Sequence, residues 1–89
     1  MSPRMMMKEI QVRTDRSGHP RGFFHNGSYW RVSEVLDAWR DTGQWWEGEA
    51  EKMFFRVTAL PIRGQGAPAL CEIYADVNGE HWILYLVYD

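Results

Sequence analysis

Eighty-nine residues, 45% of them hydrophobic, with a formal net charge of −2, describe one domain with one modest core. A single cysteine excludes a disulfide framework, and no stretch approaches the roughly 20 apolar residues of a membrane-spanning helix. A net acidic chain is also a poor general binder of phosphate, because non-specific affinity for nucleic acid comes mainly from Lys and Arg displacing counterions.

The apolar run near the N-terminus, Met5-Met6-Met7, is too short for a signal-peptide core. Residues 1–7 read as a flexible leader and residues 8–89 as a single β domain. In 9–14, Ile10 and Val12 alternate with polar residues, the period of a half-buried strand. Turn formers follow from Asp15 to Pro20. Residues 22–25 make a short strand. Asn26-Gly27 is the strongest hairpin signal in the chain, since a type I′ turn needs positive φ at both central residues. The strand returns from Ser28 to Val32.

Residues 32–39 carry two periods. Val32, Val35, Leu36 and Trp39 fit a helical stripe, and Ser33 could cap it. A helix there would have under three turns before Gly43, so the segment reads as extended and bent, with a bulge that returns both Val35 and Leu36 to apolar surroundings. The stretch 39–46 then holds the end of a long strand, a tight turn at Asp41-Thr42-Gly43 and the start of the next strand at Trp45-Trp46. An acidic connector, 47–51, leads to a strand over 52–59 ended by Pro61. In that strand Phe55 and Val57 take one face and Phe54 the other, so either face, or both in part, could be covered. A Gly/Pro loop, 63–68, precedes a strand over 69–76, a second hairpin turn at Asn78-Gly79, and a last strand over 80–88 that is apolar on both faces. Such a strand belongs in the middle of a sheet or barrel. About six strands joined by short turns predict a mainly β fold: a strongly curved antiparallel meander or partly open barrel, closed to cover its apolar face and its edges.

Nothing specific points to catalysis. His19, His25 and His81 lack the spacing of a zinc site, Cys71 sits in an apolar run, and the glycines mark turns rather than a phosphate cradle. The chain therefore reads as a non-enzyme with no metal or cofactor. The aromatic content, 15%, is the unusual feature. Five Trp, four Tyr and four Phe either fill the core or leave a few rings outside as a platform. Residues 1–31 carry six basic against two acidic side chains, and residues 32–89 four against ten. Trp30-Arg31, Trp39-Arg40 and Phe55-Arg56 each place a guanidinium beside a ring; if the rings face inward, the three arginines form an outward row. Arg31, Arg40, Trp45, Arg56 and Tyr74 are the candidate binding residues. Such a row either holds single-stranded nucleic acid, with backbone charge neutralised and bases stacked, or pairs with the chain's own carboxylates.

The order Gly27-x-Tyr29-x-x-Val32-x-x-Val35-Leu36-x-x-Trp39-Arg40-x-x-Gly43-x-Trp45-Trp46, then Phe54-Phe55-Arg56-Val57, Glu72-Ile73-Tyr74-x-Asp76, Trp82-x-Leu84 and Val87-Tyr88-Asp89, resembles a family of small bacterial domains of unknown function. A related pattern closes the C-terminus of catalytically defective relatives of the translesion (Y-family) DNA polymerases. The Trp-Trp pair and the terminal Val-Tyr-Asp are its more specific parts. The resemblance, with the aromatic surplus and the acidic half, implies a non-catalytic module with a protein partner in bacterial DNA damage tolerance. The lone cysteine fits a cytoplasmic setting, and an exposed edge strand would allow a monomer or weak homodimer. No catalytic residue carries over from it.

Overall fold

The computed structural model describes residues 3–41, 51–63, 66–76 and 79–88. Six antiparallel strands follow one another around a closed barrel: β1 (Pro3–Thr14), β2 (Pro20–His25), β3 (Ser28–Asp41), β4 (Lys52–Pro61), β5 (Ala69–Asp76) and β6 (Trp82–Tyr88). The all-β expectation and the number of strands hold, and β1–β6 pairing closes the ring. The described residues contain no helix, hence none able to cross a membrane. Thr42, Gly43, Trp45, Trp46 and Asn78, where a turn, a strand start and a second hairpin turn were expected, lie outside the described residues.

Two expectations change. β1 begins at Pro3, so most of the expected leader is strand: Pro3, Arg4 and Met5 pair with Tyr88, Val87 and Leu86. Closing the barrel requires a partner for the far edge of β6, and these residues supply it. Met6 packs against the core, and the register slips between Met5 and Lys8, where Met7 has φ 48°.

The second change lies within 32–39, which is strand as expected but carries two bulges and leaves Leu36 outside. The register of β3 against β4 slips twice, between Val32 and Glu34 and between Val35 and Asp37. Each slip adds one residue to β3, so Val32, Val35 and Ala38 sit opposite Ala59, Val57 and Phe55. Two bulges three residues apart thus impose a spacing of three on a strand, and this is what imitates a helix. Val35 packs on the core as expected, whereas Leu36, the extra residue of the second bulge, is 47% exposed.

The interior is filled by Ile10, Phe23, Phe55, Val57, Ala59, Cys71, Ile73, Ala75, Trp82 and Leu84. Trp30 stacks on Phe23 inside the wall, with centroids 6.5 Å apart. The hairpin at Asn26-Gly27 has φ of 52° and 73°, as a type I′ turn requires. The β1–β2 loop is held by Asp15, whose Oδ1 accepts the Ser17 and His19 amides at 2.8 and 3.0 Å. The bond from His19 holds the Asp15 carboxyl below its usual range.

Gly22 is required by close approach. A Cβ there would run into the tip of the Tyr29 ring and lie 2.9 Å from the Trp30 carbonyl oxygen. Gly22→Ala should therefore destabilise by about 1–3 kcal/mol, the usual cost of overpacking. Adding Tyr29→Ala should recover only part of it, since the carbonyl remains; urea unfolding of the two variants measures both.

Candidate functional site: an aromatic face on the barrel wall

Strand β4 builds the site by alternation. Met53, Phe55, Val57 and Ala59 turn inward, and Lys52, Phe54, Arg56 and Thr58 turn outward. An outward Phe should be wet, yet Phe54 is only 9% exposed. Three rings from three other strands cover it. Trp39 of β3 stacks on it at 5.5 Å with planes 7° apart, Tyr74 of β5 lies at 4.9 Å, and Tyr85 of β6 meets it edge-on at 5.8 Å. Trp39, Phe54 and Tyr74 are direct cross-strand partners, a row across the outside of the sheet. Tyr85 joins because β6 has one extra residue between its pairs with Ile73 and Glu72.

The next row of the same face is polar. Asp37, Arg56 and Glu72 are cross-strand neighbours. Arg56 donates from Nε and Nη2 to Glu72 Oε2 at 3.1 and 3.0 Å, and Tyr88 Oη donates to the same oxygen at 2.6 Å. Glu72 is 5% exposed, and no buried side-chain nitrogen or oxygen among the described residues is left without a partner. The hydrogen bond to Glu72 raises the Arg56 pKa, and the same carboxylate raises that of the Tyr88 phenol. The Arg56 guanidinium also lies over Trp39 at 5.6 Å and Tyr88 at 6.0 Å, while Lys52 Nζ lies 5.4 Å from the Tyr74 ring. Two cations of β4 therefore flank the aromatic row, and one of them, Arg56, is already neutralised by Glu72.

Of the residues expected to bind, Arg56 and Tyr74 meet here. Arg31 is exposed further along β3, opposite Gly22 and Leu60. Arg40 pairs with Met53, on the inward side at the end of the barrel, and its Nε lies 3.1 Å from Glu51. Trp45 lies outside the described residues. The expected row of three outward arginines does not form. Its premise, that all three neighbouring rings face inward, holds for Trp30 and Phe55 and fails for Trp39. Trp30 and Trp39 are an odd number of residues apart, and two bulges leave that parity unchanged, so the rings take opposite sides. The same parity places Trp39 with Phe54, Glu72 with Arg56, and Tyr74 with Phe54. It was available from the sequence once strand pairing was assumed. Tyr85 was not, because its position depends on a bulge in β6.

Elsewhere, chemistry-bearing groups are dispersed. His19 packs edge-on against Phe55, His81 lies 3.5 Å from Glu9, and His25 lines the opposite end of the barrel. Among the described residues no cluster of three His, Cys, Asp or Glu side chains could hold a metal ion. A cavity of about 290 Å³ at the His25 end is walled by Phe23, Trp30, Cys71, Leu84 and Val87. Burial pushes the Cys71 thiol up to about 11, so it stays protonated at neutral pH. In the native protein Cys71 should not react measurably with Ellman's reagent at pH 8, and should react at once in denaturant. Fast native labelling would show that this wall opens.

The model of the family described as a domain of unknown function, DUF6504, matches residues 1–89. No curated protein and no solved structure matches the chain. With the family's model running the whole length of the barrel and its aromatic face, the chain belongs to the DUF6504 family.

Proposed function

We infer that this barrel is a non-catalytic module that binds a protein partner through the outer face of β3–β6. The observation that carries the reading is the continuous row Trp39–Phe54–Tyr74 with Tyr85, set beside an arginine whose charge is spent on Glu72. Interface hot spots are enriched in Trp, Tyr and Arg held in well-packed surroundings. The buried apolar side chains line the inside of the barrel, and the aromatic row lies on its outer wall, where a partner can reach it. The sequence resemblance to the C-terminal region of defective translesion polymerases suggests the setting, bacterial DNA damage tolerance in the cytoplasm. Binding assays of the purified module against purified components of such a polymerase complex test it. Trp39→Ala and Tyr74→Ala should each weaken binding by about 30-fold, the loss typical of a hot spot of about 2 kcal/mol. Equal binding by wild type and both variants would end the reading.

A second reading, single-stranded nucleic-acid binding, is favoured by Lys52 and Arg56 on either side of the row. It ranks lower because Glu72 neutralises Arg56 and because Glu34, Asp37 and Asp76 share the face. Oligonucleotide titrations at low salt should be flat; binding that weakens steeply with salt would reverse the ranking.

A further inference from the structure

The barrel closes unevenly at β3. Its pairing with β2 covers only Ser28 to Arg31, while its pairing with β4 runs from Trp30 to Asp41. Along 32–41, no described strand pairs with the side of β3 that faces away from β4. A strand edge of this length is a template for another strand. Two observations suggest what it accepts. The Ala38 N–H donates to its neighbour's carboxylate, Asp37 Oδ1, at 2.9 Å, so a side chain serves where a strand would offer a carbonyl. Beside 32–35 the edge borders an open cleft of about 370 Å³, whose far wall is Asp15, His19, Pro20 and Arg21.

We propose that the partner adds an extended segment, antiparallel, to this edge of β3, with an apolar residue opposite Trp39 and basic residues opposite Asp37 and Glu34. This rests on the protein-module reading and deepens it. An added strand continues the cross-strand rows of the outer face. The residue opposite Trp39 extends the aromatic row by one place. The residue two positions on faces Asp37, and the next on that side faces Glu34. Opposite charges across a strand pair stabilise and like charges oppose, so the segment is basic there. Its main chain replaces the Asp37 carboxylate at the Ala38 amide and frees that carboxylate to meet the incoming cation. The same acidity disfavours pairing of β3 with a second copy of itself, where carboxylates would oppose carboxylates. Strand addition of this kind draws affinity from main-chain bonds and specificity from alternate side chains.

The test uses the full chain and a synthetic nonapeptide, Thr-Thr-Phe-Thr-Lys-Thr-Lys-Thr-Thr, labelled for fluorescence anisotropy. Saturable binding is expected, with amide shifts in ¹⁵N spectra confined to β3. Exchanging both Lys for Glu should weaken it by about tenfold or more, and Asp37→Lys should restore binding of the Glu peptide. N-methylation of the alternate peptide amides that would face β3 should abolish binding, because it removes main-chain donors and leaves every side chain. Binding indifferent to N-methylation but lost in Trp39→Ala would overturn strand addition while keeping the aromatic face as the partner site. Absence of binding by the unmodified peptide, or a concentration-dependent dimer through β3, would overturn the proposal outright.

Discussion

Phe54→Ala is expected to cost about 3 kcal/mol, although Phe54 points away from the barrel interior. Large-to-small substitutions of buried aromatics cost about 3–5 kcal/mol, and the lower end applies because this site can partly collapse or hydrate. The physical reason is the stack of Trp39, Tyr74 and Tyr85 against one ring, a second apolar layer outside the wall. Its loss also leaves Arg56 without the stacked Trp39 surface over which it lies. With urea m-values near 1–3 kcal/mol per molar, the midpoint should fall by about 1–3 M. A loss below about 1 kcal/mol would mean that the four rings lie side by side on the surface without packing, and the face would lose its claim to be a preorganised platform.

Phe23→Ala should be larger still, about 3–5 kcal/mol, because Phe23 is 1% exposed and stacks on Trp30 inside the wall. Domains of this size hold roughly 5–15 kcal/mol in all, so the variant should sit close to its unfolding threshold. A cost of 1 kcal/mol moves the melting point of such a domain by about 4–8 °C, which predicts a drop of at least about 12 °C by near-UV circular dichroism. Phe23→Leu keeps most of the volume and should cost much less. Similar melting points for Phe23→Ala and wild type would mean that the barrel interior is not close-packed there.

The two predictions separate what could be read from the chain and what could not. The inward set of β4 followed from simple alternation: Phe55 and Val57 share one face and lie inside, and Cys71 from its apolar run joins them. The outward set was visible by the same rule, and Arg56 and Tyr74 were singled out from it. What alternation could not supply was neighbourhood. Phe54 and Arg56 acquire their meaning from Trp39, Glu72, Tyr85 and Tyr88, and those contacts depend on which strands lie side by side and in what register. Arg40 shows the reverse case. Its sequence neighbour is an aromatic, but its parity on β3 sends it to the barrel end and to Glu51.

The residues by themselves determined that this protein is all β, with strands near 9–14, 22–25, 28–39, 52–59, 69–76 and 80–88, because period-2 patterning and Gly-containing turns are local properties. Only the tertiary structure decided that β1 reaches back to Pro3, that Leu36 is left in water, and that three rings from three other strands enclose Phe54. The reason is common to all three. A bulge or a barrel closure shifts one strand past another by a single residue at a cost set by the whole sheet, and a shift of one residue exchanges inside for outside.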